Sequence, residues 1–412
     1  MNKKMLRSNT TRQRGMTLVE LLIALVLSLA VLIGLSSVYV AAKQSFRFQE
    51  NTGRLQEDGT FALDAISKEL RMAGFAGCAG LKKVTVGAIT TYYPTSVLSS
   101  GSPSGINGAN PLAQIETSSA EVILQPLTPL NFIRGFDNVP SGMFASGAAP
   151  SSSGTDSLLF SGGSTESVAV SAPMGTTTST LTIAADPYGW RNATLNGGAY
   201  NMVVSDCDSS TVFDGKVSVS AGVYSIAHDT GLGNAGGTFA SSYLYGPDDG
   251  AKPGAIVSLM RWNFFYVATR SGATTPSLYR VTFNGNTRLA AEEIVSNVES
   301  LQLHYGENTL GTDSVTSDPC ALTSPIPATC VPNLVADEWR TTAASVTDWS
   351  RVVAVRVGLM MISADDNANP GVTLTTPTLL GQTYTLPSGA SANRLRKEFS
   401  TTVVLRNSVA AR

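Results

Sequence analysis

RGMTLVELLIALVLSLAVLIG, residues 14–34, joins a basic end to a long apolar run that holds one acid, Glu20. Upstream, residues 1–15 carry Lys3, Lys4, Arg7, Arg12 and Arg14 and no acid. Downstream, residues 21–42 run for 22 positions without a charge. A helix rising about 1.5 Å per residue makes such a run roughly 33 Å long, enough to cross the hydrocarbon core of a bilayer. The positive flank holds the amino end in the cytoplasm. Everything after Lys43 is then expected outside the inner membrane.

Three readings compete for this segment. A plain signal anchor leaves Gly15 and Glu20 without a role. A secretory signal peptide has a shorter apolar run that precedes its small-residue cleavage site. Here Gly15 stands before the run, so cleavage after it would remove the charges and keep the apolar helix. A carboxylate in apolar surroundings is costly unless paired. A new amine at Met16 would lie one helical turn from Glu20, which also sits near the positive end of the helix dipole. The bland alternative is that Glu20 lies at the headgroup boundary and helps start the helix.

The hexapeptide Gly15-Met16-Thr17-Leu18-Val19-Glu20 resembles the type III, or prepilin, signal. That resemblance implies that a membrane aspartyl prepilin peptidase cuts between Gly15 and Met16 and N-methylates Met16. It also implies that Glu20 acts in filament assembly, where it pairs with the amine of a neighbouring subunit. The family usually has Phe where Met16 stands.

The helix is expected to continue past the membrane. In residues 43–73, Phe48, Leu55, Ala62, Ile66 and Leu70 recur at sevens and fours, which is a helical stripe. Glu50–Arg54, Arg54–Asp58 and Asp64–Lys68 are opposite charges four apart. One helix from Met16 to about Ala73 would be roughly 87 Å long, bent or weakened at Gly53 and Gly59 and ended by GFAGCAG, residues 74–80. A coiled-coil stalk is the alternative. Major type IV pilins of the commonest class carry Pro in the membrane half of this helix. This chain has none before Pro94, a departure that fits a minor subunit.

Residues 81–250 read as a variable, loop-rich insertion. Stretches such as SSGSPSGINGANP alternate with short strand-like runs, EVILQ, SLLFSG, STLTIAA and YNMVVSDC. From about residue 254 the signal sharpens into two strands around a SGATTP turn, with a tight turn at Asn284-Gly285. EEIVSNVESLQLHYG begins with helical spacing and ends as a strand. Val353, Val355, Val357, Leu359 and Met361 alternate onto one face, as do Phe399, Thr401, Val403 and Leu405. The expected fold is α+β: a long N-terminal helix packed on an antiparallel sheet, pilin-like, with a large loop- and strand-rich insertion.

Five blocks carry a second resemblance, in this order: RLQEDGTFALDAISKELRMAGFAGC, FFYVATRSGATTPSLYR, EEIVSNVESLQLHYG, DWSRVVAVRVGLMMIS and FSTTVVLRN. Together they are similar to the PilW family of type IV pilus minor pilins and cover most of residues 14–80 and 254–407. The resemblance implies a leader at 1–15 that is removed, a membrane and filament-core half-helix at 16–42, an amphipathic half at 43–73 and a periplasmic domain at 74–412. It implies a subunit that primes pilus assembly in the inner membrane and ends at or near the tip, on a cell-surface fimbrium that powers twitching motility. Its partners would be the prepilin peptidase, other minor pilins, the major pilin, a large tip adhesin and the inner-membrane assembly platform. A minor pseudopilin of a type II secretion system shares the same N-terminal logic. A membrane-anchored periplasmic binding protein or hydrolase is the alternative from another class.

Cys78, Cys207, Cys320 and Cys330 form an even set in a domain expected to face the periplasm, which reads as disulfides. Three pairings are open. The short Pro-rich loop between Cys320 and Cys330 favours that pair, leaving Cys78 with Cys207. No CxxC is present and there are only two His, His228 and His304, so zinc is not expected. Asp365, Asn367 and Asn369 alternate as calcium ligands can, yet the Gly and bidentate acid of an EF-hand loop are missing. Asp248 and Asp249 form an acidic turn of the ordinary solvated kind. Gly231–Gly237 matches GxGxxG but lacks the flanking strand and helix, so it reads as a flexible loop. Trp262 and Trp349 read as core, and Trp190, in DPYGWRNAT, as a turn residue able to make adhesive contacts. A net charge of −2 and 14% charged residues give no basic patch for nucleic acid. With neither GxSxG nor HExxH, no enzyme and no cofactor is expected.

Overall fold

A computed structural model of the chain describes residues 16–75, 77, 82–86, 89–93, 96–97, 132–137, 148–150, 154–192, 199–206, 209–232, 234, 239, 244–250, 253–270, 272–284, 287–308, 336–347, 349–365, 377–386 and 394–407. Two compact units divide the chain, Met1–Gly53 and Arg54–Arg412. One helix, α1, runs Leu18–Leu70. In the first unit every described residue up to Glu50 is exposed, including the Leu, Val and Ile side chains around the whole circumference. A helix apolar on all sides is built for apolar surroundings. Phe48, which the heptad-like spacing placed in the packing stripe, belongs to this exposed stretch.

In the second unit the strands, in chain order, are β1 (Lys82–Val86), β2 (Ile89–Tyr93), β3 (Ser96–Val97), β4 (Ile133–Phe136), β5 (Ala148–Pro150), β6 (Ser157–Ala172) and β7 (Leu181–Ile183). Then come β8 (Ala199–Ser205), β9 (Ser210–Ser220), β10 (Val223–Ala227), β11 (Ile256–Arg270), β12 (Ser277–Asn284), β13 (Thr287–Arg288) and β14 (Glu292–Ser296). The last are β15 (Val298–Glu307), β16 (Glu338–Arg340), β17 (Val352–Ile362), β18 (Thr378–Leu379), β19 (Gln382–Thr383) and β20 (Arg396–Val404).

The helix docks on a four-stranded antiparallel sheet ordered β16-β15-β17-β20. Leu55, Ala62, Ile66 and Leu70 bury against Leu301, Leu303, Val355, Val357, Leu359 and Val403 in one core. Helical spacing puts these four on one face, and period-two alternation does the same for the strands. At Gly59 the approach is closest: a Cβ there would lie 2.5 Å from the Phe399 ring. The far face of β17 is also covered, since Met360 packs with Leu379 and Tyr384. Past Leu70 the helix tightens, Ala73 N–H donating to Leu70 O at 3.1 Å. Gly74 then takes φ +75°, a left-handed conformation glycine adopts without strain. Asn407 Nδ2 reaches the freed carbonyls of Arg71 and Ala73.

The middle of the chain is far more regular than its sequence suggests. Strands β6, β11, β8, β9, β10 and β7 pair in that order, and β7 pairs back onto β6. The ring is closed and antiparallel throughout, a six-stranded barrel. Val170, Ile183, Met202, Val204, Phe213, Ile226 and Val257 fill its interior. Closure removes the sheet edges that isolated short strands would expose. Two long strands extend out of the barrel. The second half of β11 pairs with β12 on one side and with the start of β6 on the other. The insertion therefore does not end at residue 250, because its barrel is completed by a strand of the C-terminal region.

EEIVSNVESLQLHYG, read as starting helical, is two strands. Asn297, at φ 62°, separates them. The chain leaves the β12 edge at Ser296 and joins β17 from Val298. Asn tolerates this left-handed geometry better than most residues, and the bend carries the chain from one sheet to the other.

The two sheets are tied at the edge of β15 that β16 leaves uncovered. Thr155 Oγ1 accepts a bond from Leu301 N–H at 2.9 Å, and Asp156 N–H donates to Leu301 O at 2.8 Å. Asp156 Oδ2 accepts from Leu303 N–H at 2.8 Å. Thr155 and Asp156 thus stand in for a neighbouring strand. Burial, with Asp137 nearby as a second acid, pushes the Asp156 carboxyl from 3.8 up to about 8, although the Leu303 bond favours the ionised form.

Two outcomes follow for stability. Gly59→Ala forces Phe399 off the helix and is expected to cost about 1–3 kcal/mol, read as a lower urea midpoint of the full-length protein in detergent. A folded carboxyl that holds its proton above its unfolded value loses stability as pH rises between the two values. The unfolding temperature should therefore fall as pH rises from 4 toward 8. Asp214, pushed up to about 6 by burial, shares only the lower part of that interval. Asp156→Asn, which keeps the acceptor for Leu303, should flatten the curve between pH 6 and 8. An unchanged slope there would remove Asp156 as its source.

Candidate functional site

The start of α1 is the place where sequence reading put the chemistry. Gly15 and the basic segment before it lie outside the described residues. Met16 is the first described residue and is exposed. Thr17 caps the helix: its Oγ1 accepts a bond from Glu20 N–H at 3.3 Å, and its carbonyl accepts from Leu21 N–H at 3.1 Å. Thr17-x-x-Glu20 has the spacing of a capping box, and Glu20 is the acid of the first turn, where the helix dipole favours negative charge. The bland reading of Glu20 as a helix starter therefore has a structural basis. It does not compete with a pairing role, since the bond to Thr17 uses the Glu20 amide and not its carboxylate.

Two hydroxyls of the run that follows are satisfied within the helix itself. Ser28 Oγ donates to Leu25 O and Ser37 Oγ to Gly34 O, each at 2.8 Å. Hydroxyls satisfied within their own helix are compatible with a lipid or filament interior. Leu18–Leu70 contains a window long and apolar enough to cross a membrane.

In the second unit, Glu69 of the last helical turn pairs with Arg280 of β12, and Arg280 also bonds Glu292 at 2.6 Å. Together with Asn407, this holds the end of the helix against both sheets. On the outer side of β15, His304 lies on a strand as expected, buried beside Arg356. Burial first, and Arg356 second, push its pKa below the ordinary value.

All four cysteines, Cys78, Cys207, Cys320 and Cys330, lie outside the described residues. So do Asn367 and Asn369. Asp365 is described and its carbonyl accepts a bond from Ser363 Oγ. Among the described residues, no group of three or more His, Cys, Asp or Glu side chains gathers to hold a metal. Asp248 accepts from Gly250 N–H at 2.9 Å, an ordinary turn bond. Asn234, inside the glycine-rich match, is pinned by its amide to the backbone N–H and C=O of Asp214 on β9. His228 bonds Ser179 O at 2.8 Å and stacks on Phe239. Trp262 and Trp349 are core, as expected. Trp190 is not the exposed turn residue its surroundings suggested: it is 1% exposed and belongs to the barrel interior. Its turn folds the ring inward because Asp186 caps the backbone N–H groups of Trp190 and Arg191.

Thr17, Asp156 and Arg280 were not singled out by sequence. Thr17 has a local signal, the three-residue spacing to Glu20. The ties from Asp156 to Leu303 and from Arg280 to Glu69 have none, since those partners lie 147 and 211 residues away.

Comparison with known families matches residues 264–407 to the Type IV Pilus-assembly protein W family (PilW) and residues 10–36 to the Prokaryotic N-terminal methylation motif. No curated protein and no solved structure matches the chain. Both resemblances drawn from the sequence are borne out, and the chain is a pilin-like component of the type IV pilus system that its N-terminal apolar helix anchors in a membrane.

Thr17→Ala should expose the first turn of α1. A lost cap costs about 1 kcal/mol, so the Glu20 amide should exchange its hydrogen roughly fivefold faster in detergent-solubilised protein. Unaltered exchange would show that the cap is not holding this end.

Proposed function

We propose that the protein is a minor pilin that primes type IV pilus assembly from the inner membrane and is incorporated at or near the pilus tip. Its role is structural and not enzymatic. The observation that carries the reading is the combination on one chain of a capped helix, apolar and exposed on all sides, with a helix-on-sheet domain whose strands fall in the PilW match. Cleavage between Gly15 and Met16 removes the basic leader and leaves Met16 with a free amine for methylation. The helix of residues 16–42 then leaves the bilayer, and Glu20 pairs with the amine of a neighbouring subunit. A carboxylate that is costly in lipid becomes a paired one in the filament core.

On this reading the domain beyond Lys43 lies in the periplasm before assembly and on the cell surface afterwards. Its partners are the prepilin peptidase, other minor pilins, the major pilin, a tip adhesin and the assembly platform. The cysteines would meet an oxidising compartment and pair there.

Mass spectrometry of the mature protein is expected to find an N-methylated Met16. Gly15→Ala should leave an unprocessed, slower-migrating precursor in the membrane, and a band of normal size would refute cleavage at this site. Glu20→Ala should keep the anchor and processing but cut surface pili severely. Normal piliation by that variant would remove the pairing role. Deletion that abolishes protein secretion while sparing piliation would assign the protein to a secretion pseudopilus instead.

A further inference from the structure

We propose that the outer face of the four-stranded sheet carries a carboxylate-binding site, built from Arg356, His304 and Trp339, which receives an acidic segment of a partner polypeptide. This inference is independent of the role in pilus assembly.

Strand register brings the three side chains together. His304 on β15 stands directly opposite Arg356 on β17, which puts their Cβ atoms about 5 Å apart. Trp339 on β16 is opposite Gly306, two residues beyond His304 and so on the same face. A Cβ on Gly306 would lie 3.3 Å from Trp339 Cη2, so the indole leans over a residue with no side chain to hold it off. The Arg356 guanidinium sits over that indole, 4.3 Å from the ring centroid.

What these groups lack is an acceptor. Among the described residues, Arg356 makes no ion pair and no hydrogen bond, and neither the His304 ring nor the Trp339 indole N–H is hydrogen-bonded. Yet Arg356 and Trp339 are half-buried and His304 is only 7% exposed. Arg261, Arg280, Arg340 and Arg396 each pair with a Glu. The acids near this end of the sheet are engaged elsewhere: Glu307 and Glu338 are both held by Arg340. Glu398, an acid of the same face, stands opposite Met360, four residues along β17 from Arg356. Its carboxylate accepts Leu380 N–H at 2.8 Å. Half-buried donors without acceptors are costly, and an anion laid on this face relieves that cost.

The geometry selects a carboxylate. Stacking on an indole occupies the flat face of a guanidinium and leaves its N–H edge free and already oriented. That edge offers two parallel N–H groups, which match a carboxylate in bidentate fashion. Burial, then Arg356, hold the His304 pKa below its ordinary value, so at pH 7 the imidazole adds an N–H donor and little charge. One positive charge balances one carboxylate, whereas a phosphate dianion would be half neutralised. The surroundings favour a polypeptide as the carrier. On the next cross-strand row Ala354 stands opposite Val404, and Val404 is 41% exposed. An acidic residue with an apolar neighbour satisfies both rows, while an acidic sugar would set hydroxyls against Val404.

The test uses full-length protein in detergent with its histidine rings labelled for NMR. The chain has two His, and His228, bonded to Ser179 O inside the barrel region, serves as the internal reference. Titration with the capped peptide acetyl-Val-Glu-Val-Glu-amide should shift the His304 signals saturably, raise the His304 pKa and leave His228 unmoved. The same peptide with Gln for Glu, a galacturonate trimer and inorganic phosphate, at equal ionic strength, should each bind about tenfold more weakly or worse. Arg356→Gln should weaken binding of the Glu peptide by about tenfold or more. Arg356→Lys, which keeps the charge but loses the fork, should weaken it as well. Lys216→Gln, the same charge change at an exposed position of β9, should bind as the unaltered protein does. No shift of His304 with the Glu peptide, equal binding of the Gln peptide, tighter binding of galacturonate or phosphate, or full binding by Arg356→Gln would each overturn the proposal.

Discussion

Burial of four side chains, Leu55, Ala62, Ile66 and Leu70, holds α1 to its sheet, and the rest of the second unit is arranged around that contact. Each apolar side chain of this size removed from water contributes about 1.5–3 kcal/mol, less for Ala62. Gly59 sets the depth of the contact by admitting the Phe399 ring to the helix surface. The sheet must then face the helix with one side only, which the alternation in β15, β17 and β20 achieves. Its second side is closed locally by Met360, Leu379 and Tyr384. The buried bidentate pair of Arg396 and Glu299, at 2.7 and 2.8 Å, links β20 to the residue beside the start of β15. Its hydrogen bonds are what make such a buried pair tolerable.

The barrel answers a different constraint. Its strands β6 and β9 are rich in Ser, Thr and Gly, and neither could hold a free edge alone. Closing the ring pairs every strand on both sides and gathers the available apolar side chains inside. Strands β6 and β11 then serve two structures at once, the barrel and the sheet of β4, β12 and β14. The Thr155–Asp156 contact with β15 passes this geometry on to the helix-bearing sheet. A neutral Asp is suited to that position, because burial makes the ionised form costly.

Much of the fold was legible locally. The helix, the alternation of β17 and β20, the hairpin between β12 and β13, and the break after Ala73 all follow from periodicity and glycine. Strand β14 was misread because EEIVSNV has apolar residues at helical spacing, and only pairing with β12 decides that it is extended. Trp190 was misread because a turn sequence says nothing of which way its ring faces. At the candidate site, Glu20 was legible and its cap, Thr17, was available in the same four residues.

The sequence by itself determined the membrane-length apolar helix, its basic flank and the acid at its start, because each depends on neighbours within a few residues. Tertiary structure alone decided that the middle of the chain is a closed barrel and that Asp156 and Arg280 tie the sheets and helix together. It alone also decided that Tyr188, and not Trp190, is the ring left open to solvent. Those outcomes rest on partners far apart along the chain, and strand closure is a property of the whole ring that no single strand encodes.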